Sequence, residues 1–172
     1  ICAPRTPRCG DCPLLDECKA GQGGDPARLP VKAPKKVRPE RSCVVYWLQN
    51  VNGDVLMRKR PESGLLGGMS EFPSTPWQDD GWPNDQEVEE GAPLQTTWSE
   101  VPGEAVHVFT HFRLTMRVLR GVCGDRVNVD GFWVSPDEFS RHALPTLMTQ
   151  VIKLGSDAPA PRCPRSAVHR AG

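Results

Sequence analysis

Arg60-Pro61-Glu62-Ser63-Gly64-Leu65-Leu66-Gly67-Gly68-Met69-Ser70-Glu71-Phe72-Pro73 is the stretch on which the fold turns. It is rich in glycine and ends on Glu71-Phe72-Pro73, which marks a shaped loop rather than the interior of a helix or strand. Upstream of it, Val44-Val45-Tyr46-Trp47-Leu48 is a β-rich run, Asn52-Gly53-Asp54 carries hairpin turn chemistry, and residues 55–60 read as the return strand. Downstream, residues 74–93 are polar and acidic with interspersed Pro and Trp, and read as a solvated excursion. Strands resume over 105–112. In the next run Leu114, Met116 and Val118 alternate with Arg113, Thr115 and Arg117, the pattern of a half-buried strand. Gly131-Phe132-Trp133-Val134 is a short apolar strand. Ser135, Pro136 and Glu138 predict a helix start with a capping box. A last helix is expected over 145–154, with Leu147, Val151 and Leu154 on one face and Gly155 as its stop. Strands and helices in this order predict a mixed α/β (α+β) domain over residues 42–155.

The first eighteen residues carry a second signal. Cys2, Cys9, Cys12 and Cys18 are separated by six, two and five residues. Four thiolates this close suit one metal centre, either Zn²⁺ or an iron–sulfur cluster. A disulfide framework fits less well, because nothing marks the chain for an oxidising compartment. Structural zinc usually draws two short knuckles from separated positions, whereas here only Cys9-Gly10-Asp11-Cys12 is one. A single compact loop wrapping one body suits a cubane better than a lone tetrahedral ion. Cys43, Cys123 and Cys163 are scattered and read as buried or incidental thiols.

A hydrophobic content of 38%, with 18 Pro and 16 Gly in 172 residues, predicts a modest core and many loops. No stretch is long and apolar enough to cross a membrane, so a soluble intracellular protein is expected. The zero net charge conceals segregation. Residues 1–41 hold nine Lys/Arg against five Asp/Glu, residues 61–104 hold ten Asp/Glu and no Lys or Arg, and residues 105–172 return to nine against five. Two basic flanks keep a polyanionic partner open, with the acidic middle facing away from it. Residues 19–41 read as a connector: glycines open it, prolines stiffen it, and Arg28, Lys32, Lys35, Lys36, Arg38 and Arg41 make it basic.

The quartet, Cys-x6-Cys-x2-Cys-x5-Cys, resembles the cluster loop that closes the catalytic domain of endonuclease III-like DNA glycosylases. Residues 60–73 resemble the RPxxGLWGGLWEFP stretch in the C-terminal domain of MutY-type adenine DNA glycosylases. So do Val108-Phe109-Thr110-His111-Phe112-Arg113-Leu114, then Gly131-Phe132-Trp133-Val134 and Ala143-Leu144-Pro145. Leu66 and Ser70 stand where that family often has tryptophans. The resemblance covers residues 1 to about 155, with its parts in the family's order.

It implies a Nudix-like mixed-sheet domain with helices (42–155). A cysteine-rich iron–sulfur loop (1–18) and a basic connector (19–41) precede it; beyond the resemblance, the Pro, Arg and Ala composition of residues 156–172 predicts a disordered tail. It implies a [4Fe–4S] cluster on Cys2, Cys9, Cys12 and Cys18. The implied parent is a DNA N-glycosylase of base excision repair that removes adenine mispaired with 8-oxoguanine. Since residue 1 is Ile and the first ligand stands at position 2, the chain is expected to be the C-terminal part of that enzyme. The catalytic residues are then expected in a preceding helix-hairpin-helix domain, and the chain alone should not excise adenine. In the family a Phe-Ser-His loop reaches 8-oxoguanine; Phe109-Thr110-His111 matches it, with Thr retaining the hydroxyl. Arg5 and Arg8, between the first two ligands, are expected to meet DNA phosphates. The expected partner is double-stranded DNA carrying 8-oxoguanine:adenine mispairs, bound by a monomer in the bacterial cytoplasm, at the nucleoid, with no membrane involved.

Two other classes compete. A Nudix-type nucleotide pyrophosphohydrolase needs Gly-x5-Glu-x7-Arg-Glu-U-x-Glu-Glu-x-Gly-U, where U is bulky and aliphatic. Gln86-Glu87-Val88-Glu89-Glu90-Gly91 is only a fragment of that pattern; the spacing fails and the Arg is missing, so Glu87, Glu89 and Glu90 read as part of a solvated loop. A non-enzymatic zinc-binding interaction module is the third class.

Overall fold

The computed structural model describes residues 1–31, 37–79, 81–124 and 127–157, and resolves the chain into two units, Ile1–Val37 and the remainder from Arg38 on. The first unit is built from short pieces. Single 3₁₀ turns at Cys9–Asp11 and Leu15–Glu17 lead into the four-residue helix α1 (Lys19–Gln22), and another 3₁₀ turn follows at Pro26–Arg28. None of these pieces buries a residue. The expected connector therefore opens on a helix, because Cys18 serves as its N-cap and takes the N–H of Gly21 on its sulfur. Lys32, Lys35 and Lys36 of that connector lie outside the described residues.

The second unit is organised by two ten-residue strands, β1 (Glu40–Gln49) and β6 (Arg113–Val122). Strand β2 (Val55–Lys59) returns antiparallel to β1 through the expected Asn-Gly turn, where Gly53 takes φ +93°. The ladder also includes β3 (Ser70–Glu71), β4 (Ser99–Glu100), β5 (Ala105–Val108) and β7 (Phe132–Val134). Its order among the described residues is β3-β2-β1-β6-β4, with β5 also on β6 and β7 also on β2. β1 and β6 run parallel and pair from Glu40↔Arg113 to Gln49↔Val122. A parallel strand covered on both faces reads as a continuous apolar run. That explains why Cys43–Leu48 are all buried, while β6 keeps its predicted alternation, with Leu114, Met116 and Val118 wholly buried.

On one face Trp47, Phe72 and Phe139 form a ring cluster with centroids 5.1–5.8 Å apart. Helix α2 (Asp85–Gly91) lies on the other, where the Tyr46 hydroxyl donates to the Val88 carbonyl at 2.6 Å and Trp98 packs edge-on against the Tyr46 ring. Helix α3 (Thr146–Asp157) brings Leu147, Met148, Val151 and Gly155 onto the first cluster.

Several expectations are corrected. The domain's first strand starts at Glu40 rather than after residue 41, since the parallel pairing with β6 extends to Arg113. Residues 74–93 are not only a loop. They contain α2, closed by a full capping box in which Asn84 accepts the Glu87 N–H and the Glu87 carboxylate accepts the Asn84 N–H. The Asn84 N–H on that carboxylate, with a second bond from Gln78, holds the Glu87 carboxyl below the usual range. The box expected at Ser135 does not form. Its side chain caps nothing, its carbonyl takes the Glu138 N–H in a 3₁₀ turn (Pro136–Arg141), and the Glu138 carboxylate goes to Arg141 instead. The strand expected over 105–112 stops at Val108, where the chain turns. Gly155 does not end the last helix, which continues through Ser156 and Asp157, two residues placed in the expected tail; the rest of that tail lies outside the described residues.

Candidate nucleic-acid interface

The turn from β5 to β6 presents the residues singled out for lesion reading. Val108 pairs with Arg113, and the Phe109 N–H donates to the Phe112 carbonyl at 2.9 Å, which closes a tight hairpin. The three residues grouped by sequence have different surroundings. Phe109 is half-buried: its ring stacks on Phe112 at 4.5 Å, meets Trp77 at 5.8 Å, and takes the edge of His107 at 4.6 Å. Thr110 and His111 form the exposed tip. Trp77 touches Phe112 as well, at 5.9 Å. Two guanidiniums cap this aromatic group. Arg41 lies 4.5 Å over Phe112 while pairing with Asp79, and Arg60 lies 5.2 Å over Trp77.

Residues 60–73 build the wall beside it. Arg60 accepts no freedom in this loop: its N–H bonds the Met69 carbonyl, its Nε bonds the Leu65 carbonyl, and the Gly68 N–H returns to Pro61. A Cβ at Gly67 would lie 2.3 Å from the Glu62 carbonyl oxygen, so this position requires glycine. Glu71, only 2% exposed, receives Arg58 on one carboxylate oxygen at 2.9 Å and Arg60 on the other. Arg58 and Arg60 reach it together because residues two apart share a face, whereas Lys59 between them pairs outward with Glu62. The signal of this pairing in the sequence is the i,i+2 spacing of the two arginines ahead of the acidic Glu71.

Arg58, Arg60, Glu71, Trp77 and Glu90 border a cleft of about 600 Å³. Its two carboxylates are engaged, Glu71 with the two arginines and Glu90 with Gln86, while Glu87, outside the cleft, is held in its cap. Among the described residues no three His, Cys, Asp or Glu side chains are grouped so as to hold a metal ion. The glutamate array of a hydrolytic Nudix helix is not assembled by these side chains.

In the first unit, Cys2, Cys9, Cys12 and Cys18 all line one largely apolar cavity of about 400 Å³. The cysteines among the described residues are free thiols. The absence of a metal-holding group among the described residues extends to these four, so it is their spacing in the sequence that carries the metal reading. The Gly21 N–H already points at the Cys18 sulfur, 3.4 Å away. Arg5 and Arg8 are exposed on the loop between the first two cysteines. Arg5 adopts φ +72°, and Arg8 anchors the loop through its N–H to the Ile1 carbonyl, its side chain 3.9 Å from Asp11. Cys43 and Cys123 are buried as expected, and burial pushes the Cys43 thiol up to about 12. Cys163 lies outside the described residues.

Residues 44–154 match the NUDIX domain family. The chain belongs to that family. This NUDIX chain is also 30% identical over 206 residues to the adenine DNA glycosylase of Rattus norvegicus, across 90% of the chain and 40% of the relative. The Schizosaccharomyces pombe adenine DNA glycosylase is 27% identical over 188 residues, across 80% of the chain and 41% of the relative. The chain thus spans only those 40–41% of the curated relatives' lengths. Among solved structures, the C-terminal domain of mouse MUTYH, in its complex with human PCNA, superposes with a TM-score of 0.53 at 24% identity, over 68% of this chain and 88% of that one. The MutT protein from Methanosarcina mazei Go1 gives 0.56 at 18% identity, over 71% and 96%. Both superpositions show the NUDIX fold, the mixed sheet with helices that the motifs implied. The resemblance drawn from residues 60–73 and 108–114 is met by relatives named adenine DNA glycosylase along most of the chain.

Proposed function

We propose that this chain is the lesion-reading and DNA-binding part of an adenine DNA glycosylase of base excision repair, whose parent enzyme removes adenine mispaired with 8-oxoguanine. The observation that carries the reading is the β5–β6 hairpin: an exposed Thr110-His111 tip set on a packed aromatic base. A hydroxyl both donates and accepts, so Thr110 suits an altered base edge, and His111 adds a second polar group beside it. Phe109, being half-buried, supports the tip instead of standing free as a wedge. Excision requires that adenine leave the stack, and a reader on the opposite base would hold the duplex while it does. No residue of this chain is assigned a catalytic role.

Cys2, Cys9, Cys12 and Cys18 would hold a [4Fe–4S] cluster, whose contribution here is structural: it fixes the loop bearing Arg5 and Arg8. Guanidiniums on a rigid loop meet phosphates with little ordering loss, setting register without reading sequence. The partner is double-stranded DNA with the 8-oxoguanine:adenine mispair, met by a monomer in the bacterial cytoplasm, at the nucleoid. Nucleotide pyrophosphate hydrolysis is the less favoured reading, since the carboxylates it needs are engaged in other bonds.

Thr110→Ala tests the reading. With the chain on duplexes holding 8-oxoguanine or guanine opposite adenine, the preference for the lesion should fall about threefold to tenfold, the worth of one hydrogen bond, while affinity for the undamaged duplex holds. An unchanged preference removes Thr110 as the reader.

A further inference from the structure

We propose that Trp77 is a positioning residue for lesion discrimination, acting through Phe109; this rests on the reading of the β5–β6 hairpin given above. Trp77 belongs to neither strand of the hairpin. It comes from the segment after Pro73 and places its ring against both residues that bracket the tip, Phe109 at 5.8 Å and Phe112 at 5.9 Å. Its own ring is overlaid by the Arg60 guanidinium at 5.2 Å. Arg60 in turn is fixed by the Leu65 carbonyl and by the buried carboxylate of Glu71.

A connected series of contacts therefore runs from a buried ion pair to the exposed tip: Glu71, Arg60, Trp77, Phe109, then Thr110. Thr110 and His111 project into solvent, where an unsupported backbone loses most entropy on being ordered. Packing Phe109 against both Phe112 and Trp77 fixes the residue from which Thr110 departs, so the hydroxyl is aimed before DNA arrives. Discrimination depends on that aim more than does general phosphate attraction, which tolerates a displaced side chain. Removing the Trp77 ring should therefore reduce the preference for the lesion without weakening binding to undamaged DNA.

The experiment compares the wild-type chain with Trp77→Ala, Trp77→Phe and Thr110→Ala. Binding is measured on 8-oxoguanine:adenine and guanine:adenine duplexes, together with hydrogen exchange at the Phe109 amide. Trp77→Ala should cut the affinity ratio about threefold to tenfold, as loss of an aromatic contact does, and should speed Phe109 exchange. Trp77→Phe, which keeps a ring, should restore the ratio to within about twofold of wild type. Thr110→Ala should lower the ratio without changing that exchange. If Thr110→Ala loses discrimination but Trp77→Ala keeps it, the hairpin reading stands and the inference fails. A wild-type chain that does not distinguish the duplexes overturns the reading and the inference with it. Should Trp77→Ala not fold, Trp77→Leu leaves a smaller cavity without a ring and carries the same expectation; equal weakening of both duplexes by either variant assigns Trp77 a merely structural role.

Discussion

At Gly155 the last helix approaches Trp47 so closely that an added Cβ would lie 2.3 Å from the indole ring. In an open helix, Gly→Ala gains about 1 kcal/mol of propensity. Here the contact is with a fully packed ring in the main core cluster, and overpacking of that kind costs about 1–3 kcal/mol. Gly155→Ala should therefore lower the urea unfolding free energy by about 1 kcal/mol, where helix propensity alone predicts a gain. A stabilised variant would show that α3 slides to accommodate the methyl group. The sequence suggested a helix stop, because glycine after a periodic run commonly marks one. A close approach between two distant elements uses the same residue, and the local pattern does not distinguish the two uses.

The same ambiguity appears at the scale of elements. Asn84-x-x-Glu87 and Ser135-x-x-Glu138 carry equivalent capping signals, yet only the first closes a box. At the second, Arg141 takes the glutamate and the turn tightens to 3₁₀. Short α2 escaped the periodicity reading because seven residues, with Val88 as their one apolar side chain, show no helical stripe. Its packing comes instead from the Tyr46 hydroxyl and the close contact of Gly91 with Thr75. The cysteine loop is the contrary case. Its spacing is legible at once, and Cys2, Cys9, Cys12 and Cys18 all line one cavity. Chain purified without oxygen should carry about four irons and four sulfides, and Cys9→Ser should lose them. Stoichiometric zinc with no sulfide would return the site to a single tetrahedral ion.

Across the whole molecule, charge segregation acquires a different meaning from the one its run lengths suggest. The acidic middle is more than a solvated stretch. Asp79 pairs with Arg41, Glu100 and Glu104 flank Arg117, and Glu71 neutralises part of Arg58 and Arg60. Those sheet arginines are thus partly satisfied within the fold, while the side chain of Arg8, 71% exposed, stays open to solvent. If Arg5 and Arg8 meet phosphates, each Arg→Ala change should reduce the slope of log affinity against log salt by about 1. The loss should be equal on damaged and undamaged duplexes. An unchanged slope would place these two side chains away from the DNA.

The sequence by itself determined the cysteine spacing, the β1–β2 hairpin, the alternation along β6 and the family, because each depends on residue types at fixed local intervals. It also located the Phe109-Thr110-His111 segment, though not the separate roles of its members. Tertiary structure alone decided that Phe109 packs into the aromatic group while Thr110 stands at the tip, that Glu71 gathers two arginines, and that Trp77 joins one of them, Arg60, to the hairpin. Those relations join residues from different strands and loops. Ring stacking and buried ion pairing act through space, so a one-dimensional pattern carries their components without their contacts.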